Sequence, residues 1–456
     1  MMNMNRLIIA AILVSGAVAC RRENVATMQL ANTVALSAPT TVGTAPMFAV
    51  SPTGTQAVAW VSAPEGGTDG RLYVSVASGK PVEIRDSLGP IEPHGESPPK
   101  LSYGPDGALY SIYAVVKLSP GQRFPLSALR LVKSTDGGKT WTAPVTVTDK
   151  AVWGSHSFHA LHVTSNGTVY VSWLGKPDKV PGHSSIKPAP AVKPAGEMKG
   201  MEGMHESSAA WIARSDDGGA TWSSPIRVDQ GEACPCCRTS VVSSKDGDTL
   251  YMSWRHVYEG SVRDVVVAKS TDQGKTWGAP VRVHADNWKF DACPHAGPAM
   301  SIDGDGTVHI TWWTGKEGSA GVYYANSRDG AATFSEPIAL GVAKYSRPAH
   351  VQLALASDNR VIVAWDDGTR AIPQVTARVS NDGGKTFGEA VVVSADGRAA
   401  TFPVLSVAGD SVAIAWSEES GAALAAEDAA SKDKTSPKGL RSVGEAQVLV
   451  RRGVLQ

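Results

Sequence analysis

Short apolar runs, broken by glycine or small polar residues, recur along most of the chain. One unit stands out: a strand, a turn residue and a second strand that ends in an aromatic side chain. It recurs seven times, with endings at Trp60, Tyr113, Trp173, Trp254, Trp312, Trp365 and Trp416. The turn residue lies six positions earlier in most copies, at Gly54, Gly107, Gly167, Gly306, Asn359 and Asp410. The fourth copy carries one extra residue, with Gly247 seven positions before Trp254. Each unit then continues as loop, strand, aspartate-containing turn and strand. Four antiparallel strands repeated in this way predict an all-β chain folded as a β-propeller, with seven blades. No unit can bury both of its faces alone, so the ring must close. The segment near Met28–Ser37 is the expected closing strand of the last blade.

In five of the seven units, all but the first and last, the turn before the outermost strand carries a second pattern. It reads Ser134-Thr135-Asp136-Gly137-Gly138-Lys139-Thr140-Trp141, and returns around Asp217, Asp272, Asp329 and Asp382. In the fourth copy Ala331 stands where glycine belongs. The aspartate can accept backbone N–H bonds, the glycine permits positive φ, and the aromatic residue can fold back on the hairpin. The motif therefore reads as a structural staple. The octads resemble the Asp-boxes, or BNR repeats, of the sialidase superfamily, and the resemblance spans about Pro46 to Glu418. Sialidases have six blades, so the resemblance keeps six open beside the seven counted. It also implies an arginine triad for a carboxylate, a tyrosine nucleophile assisted by glutamate, and an aspartate acid/base. The segment matching the first arginine motif reads Ala45-Pro46-Met47-Phe48 and has no arginine. Candidates for the other roles are Arg238, Arg255, Arg347, Tyr345, Glu232 and Asp291. Whether the chain is an enzyme stays open; if it is one, the resemblance implies an exo-α-sialidase-like glycoside hydrolase.

In a propeller the Asp-box turns occupy one face. The starts of the innermost strands occupy the other, around the mouth of the central channel. Counting back seventeen residues from the aromatic endings lands on His156, Cys237 and His295 in three successive units. Cys234, Cys236, Cys293, His159 and His350 lie nearby. Thiols and imidazoles at one level suit copper, and less well zinc. The insertion at 176–206 should emerge on the same face. It carries Met198, Met201, Met204 and His205, whose thioethers favour copper(I). Apart from Cys20 the chain has four cysteines, so two disulfides are the competing expectation, with three possible connectivities.

Composition narrows the classes. Lys plus Arg and Asp plus Glu are both 43 of 456 residues, which gives no electrostatic case for nucleic acid. Abundant glycine (46) and tryptophan (13) suit short strands and tight turns. The start has Arg6, an apolar run from Leu7 to Val14, and Ser15-Gly16-Ala17-Val18-Ala19-Cys20. It reads as an export signal. Its end resembles a bacterial lipobox, which implies cleavage before Cys20 and lipid on its sulfur. The expected organisation is a signal peptide at 1–19, a linker with the closing strand at 20–45, and the propeller at 46–456 with a polar loop at 427–440. The expected location is the cell envelope of a bacterium, with the lipid in the outer membrane facing the periplasm; Arg21 follows the cysteine where aspartate would signal inner-membrane retention. No phosphate loop, nucleophile elbow or His-Glu-x-x-His pair is present. The expected role is binding of a ligand, copper being the specific candidate, at a Cys/His-lined channel mouth. Glycan hydrolysis, or a purely structural or partner-binding propeller, are the alternatives. The oligomeric state is not legible.

Overall fold

The structure, a computed structural model, describes residues 27–38, 41–64, 69–117, 125–147, 153–176, 208–420 and 446–456. The export signal, Cys20, the polar loop at 427–440, and Met198, Met201, Met204 and His205 lie outside these residues. Apart from one 3-10 turn at Glu259–Ser261, the described elements are strands. They form seven antiparallel sheets of at least four strands each. Blade one runs outward through Thr41–Val50, Gln56–Pro64, Arg71–Val76 and Val82–Ile84. The innermost strands of the next five blades are Lys100–Tyr103, Ser157–Val163, Ser240–Ser243, Ala299–Ile302 and Val351–Leu355. Each touches its two neighbours around the ring, and Arg398–Ala408 of blade seven completes the circle against blade one.

The ring closes as the sequence predicts. Met28–Leu30 pairs antiparallel with Gln447–Leu455, so the start of the described chain supplies the outer edge of the last blade. Seven apolar clusters fill the seven interfaces between blades. The recurring aromatic residues sit in them by one rule: each packs between its own blade and the preceding one, as Trp60 does with blade seven and Trp254 with blade three. All seven are at most 3% exposed. Each buries about 200 Å², worth up to roughly 5 kcal/mol at about 25 cal/mol per Å².

The Asp-boxes are staples in atomic detail. In the first, Ser134 Oγ donates to Asp136 Oδ1 (2.9 Å), and the Gly138 and Thr140 N–H groups donate to Ser134 Oγ and Asp136 Oδ1. The Thr140 hydroxyl closes the loop on Asp136 Oδ2 at 2.6 Å. The same bonds recur at Asp217, Asp272, Asp329 and Asp382. The Thr221 hydroxyl, first among these donors, holds Asp217 down at about 2. Ala331 adopts the glycine conformation at φ 65° and still donates to Ser327 Oγ. Trp141, Trp222, Trp277, Phe334 and Phe387 pack on the clusters shared with the preceding blade. The staples therefore fasten blade to blade and leave the opposite face for chemistry.

Candidate metal centre

The segment leading into blade four departs from the pattern of the others. Glu232–Ala233 pairs with Val257 and His256 at the far end of the long strand Leu250–Tyr258. The chain then leaves the sheet edge, with Cys234 N–H on Arg255 O at 2.8 Å, and turns through Pro235 before rejoining at Ser240. This small excursion buries Cys234, Cys236 and Cys237, which are 0%, 4% and 0% exposed. Their Sγ atoms all lie within 4.8 Å of one another. Cys234 Sγ is 3.3 Å from Cys237 Sγ and 3.8 Å from Cys236 Sγ. Among the described residues this is the one group of three His, Cys, Asp or Glu side chains whose ligand atoms converge so closely. No disulfide joins the four described cysteines in this structure.

The surroundings favour negative charge on sulfur. Arg263 Nη1 donates to Cys234 Sγ at 3.0 Å, while its Nε is tied to Phe290 O at 2.6 Å. Burial opposes ionisation of Cys234. Hydrogen bonds from the Cys236 and Cys237 thiols, and the Arg263 and Arg255 guanidiniums, outweigh it and hold this thiol well below the ordinary range. Burial pushes Cys236 and Cys237 up. Cys234 is therefore the thiol that this pocket, walled by Phe158 and Val257, favours as the anion, with the Cys236 and Cys237 sulfurs within hydrogen-bond reach. Cys293 lies half-buried beside it, bonded to Cys236, and that bond lowers its thiol.

Phe158 connects the thiols to the channel mouth. Its ring centroid is 6.1 Å from both His94 and His295, which are 5.8 Å apart. Phe158, His295, Phe402 and Ala45 all adopt φ between 52° and 58°; the first two lie at or just before the start of an inner strand, the other two inside one at its register shift. Non-glycine residues held in this region store strain of about 1–3 kcal/mol each, and such positions cluster at functional sites. The segment 92–98 ahead of blade two brings in the buried Glu96. Its carboxylate pairs with His350 Nε2, while His350 Nδ1 pairs with Asp366. The Phe402 ring lies tilted against the His350 ring, with centroids 4.1 Å apart. Burial works against charge on His350, but Asp366 and Glu96 raise it to about 10. Burial pushes Glu92 up to about 7 against a hydrogen bond from Ser97, and holds Lys100 well below its usual value, with Arg238 adding to the latter.

Residues 92–291 match the family described as BNR repeat-like domain, a span that contains the thiol cluster. In that span the chain is similar to BNR-repeat proteins, and its seven sheets make it a seven-bladed β-propeller. A Dyadobacter fermentans protein of unknown function is similar at 16% identity, covering 94% of this chain and 99% of its own, with a TM-score of 0.51. An ulvan lyase, a polysaccharide lyase with bound saccharide, is similar at 12% identity, covering 84% and 93%, with a TM-score of 0.53. These likenesses show the fold. A Hadza microbial sialidase is 18% identical over 87% of this chain and 76% of its own, at a TM-score of 0.48. Comparison with curated protein sequences found no match.

Several residues expected at the site are engaged elsewhere in the propeller. His156 places Nδ1 3.2 Å from Ser127 O and its edge on Trp173. His159 is fully buried with Nδ1 3.4 Å from Ser97 Oγ, and burial first, then Lys100, pushes it down to about 3. His350 is a cation between two carboxylates and has no lone pair to offer a metal. His295 stands at the mouth, outside the converging group. Among the sialidase-type candidates, Arg255 is wholly buried and donates to the carbonyls of Ala296, Arg263 and Trp313. Arg238 is buried and donates to Val351 O at 2.5 Å. Arg347 donates its backbone N–H to Gly368 O. Tyr345 is 64% exposed with its hydroxyl on Glu317. Glu232 is exposed, and Asp291 is exposed and accepts from Ser261. Arg263, Glu96 and Phe158 were not singled out from sequence. The legible signal for Arg263 was a charged Arg263-Asp264 pair inside the apolar strand Val262–Ser270.

Proposed function

We propose that the propeller binds a thiophilic metal ion, copper(I), at the thiol cluster beside the channel mouth. The observation that carries this reading is the convergence of three buried Sγ atoms within 4.8 Å. Soft thiolates select copper(I), and trapped thiols with no metal or disulfide partner are costly to keep in an oxidising compartment. The cationic shell of Arg263 and Arg255 offsets the charge that further thiolates add on metal binding. The Met-rich segment with Met198, Met201, Met204 and His205 acts in this reading as a first capture site. Export and lipid attachment at Cys20 would place the propeller in the cell envelope, held to a membrane. The exo-α-sialidase reading finds no support in the geometry: Arg255 spends its donors on backbone carbonyls, and a guanidinium so engaged cannot also clamp a substrate carboxylate.

The test measures metal content and free thiols together on the purified full chain, followed by competition for copper(I) against a coloured chelator. Near-stoichiometric copper, with thiols that react only after chelation, is the expected result. A protein with four reactive thiols, or with none, and no competition for copper(I) would sink the reading.

A further inference from the structure

We infer that the centre is three-coordinate, with Cys234, Cys236 and Cys237 as its ligands, and that Cys293 is the thiol through which the ion enters and leaves. This rests on the metal-binding reading and specifies its coordination and its route. The division follows from position. Three sulfurs converge and are shut away from solvent, whereas Cys293 is half-exposed and stands outside the converging group. It nevertheless reaches Cys236 by a hydrogen bond and packs on the cluster. A metal–sulfur distance of about 2.3 Å gives a trigonal site sulfur separations near 4 Å. The observed 3.3 and 3.8 Å lie close to this, so small side-chain shifts complete the triangle. Zinc, which wants four ligands, would have to pull Cys293 inward. Copper(I) is content with three.

The buried trio needs a way in, and the neighbours of Cys293 supply one. Two residues on, His295 faces His94 at the channel mouth, and Phe158 touches both histidines and the thiol cluster. Cys293 is thus the cysteine that an incoming carrier can reach. The transfer balances as three ligand exchanges and one added thiolate, without electron transfer. Cys293 bonds to copper(I) held by a thiol-bearing donor, that metal–sulfur bond breaks, and the proton of Cys293 leaves on the donor thiol. Cys236 then replaces Cys293 on the ion and returns its own proton to the Cys293 sulfur. Cys234 joins as the thiolate that Arg263 favours, and Cys237 replaces the donor's last thiolate, to which its proton passes, completing the triangle.

The experiment uses the full chain and copper(I) supplied as its glutathione complex. Equilibrium affinity is read by competition with a copper(I) chelator, and loading and removal rates by stopped flow. Cys293→Ser should leave the affinity within about threefold while both rates fall about tenfold or more; Cys236→Ser should weaken affinity about 100-fold or more. X-ray absorption on the loaded wild-type protein should count three sulfur neighbours, and this needs no variant to fold. Four sulfurs, or a Cys293→Ser affinity loss as large as that of Cys236→Ser, would make Cys293 a permanent ligand and overturn the inference. Unchanged rates in Cys293→Ser would overturn the transfer role. A wild-type protein that takes up no copper(I) would instead overturn the metal-binding reading itself.

Discussion

Replacing His350 by glutamine isolates the charge that holds the channel mouth together. The imidazolium lies between Glu96, 1% exposed, and Asp366, 3% exposed. Asp366 keeps other partners in the variant, since it also accepts the N–H groups of His350 and Phe402. Glu96 loses its hydrogen-bonding partner and keeps only the longer-range attraction of Arg238 and His295, since its carboxylate oxygens have no other hydrogen bond. A rise of the His350 pKa from 6.5 to about 10 corresponds to roughly 5 kcal/mol. Breaking a buried pair by removing one member costs about 3–5 kcal/mol, so both routes agree. The sign is fixed by linkage. The folded state holds the proton more tightly, so the stabilisation is complete below the unfolded pKa and is lost as pH rises through about 10. Urea unfolding of both proteins at about pH 6, 8 and 10 should show the wild-type advantage of roughly 3–5 kcal/mol shrinking steadily toward the alkaline end. An advantage that is the same at both ends of that range would refute an imidazolium at this position. A variant as stable as wild type at about pH 6 would refute the buried pair.

Two further outcomes follow from the packing. Gly384 sits at φ 81°, and a Cβ there would lie 1.9 Å from the hydroxyl of Tyr324, which is buried and bonded to His309 at 2.6 Å. Gly384→Ala should therefore cost roughly 2–4 kcal/mol, read as a lower urea midpoint; an unchanged midpoint would show that the box tolerates alanine here as it does at Ala331. Glu92 titrates near 7 when folded against 4.5 for the free group, so the wild type loses up to roughly 3 kcal/mol as pH climbs between those values. Glu92→Gln removes that loss, and the variant should gain on wild type by that amount between about pH 4.5 and 8. A constant offset across the range would mean the carboxyl is not desolvated.

The candidate centre was half legible. Counting back from the aromatic endings put thiols and imidazoles at one level of one face; three cysteines close in sequence converge, while Cys293 and the histidines stay outside that group. The count carried no information on side-chain direction. The positive φ at Phe158 and the register shift between Ser157 and Ala160 re-aim the start of blade three. His156 and His159 consequently turn to Ser127 and Ser97 and away from the thiols. His350 lay at a suitable level too, but its fate was decided by Glu96, brought across from the blade-two side.

The amino-acid sequence by itself determined the seven repeated units, the strand order within each and the staples that fasten them, while the structure decided for seven blades over the six that the resemblance kept open. Those depend on contacts between residues close in the chain, repeated until the pattern is unmistakable. Even closure was legible, because a ring with an unpaired outer edge leaves backbone groups and an apolar face exposed. Tertiary structure alone decided the electrostatics of the centre. The arginine that stabilises Cys234 comes from another strand of blade four. The carboxylates that charge His350 come from blade six and from the segment ahead of blade two. Charge interactions in a dry interior depend on distances of a few ångströms between groups far apart in sequence, and no local pattern encodes such distances.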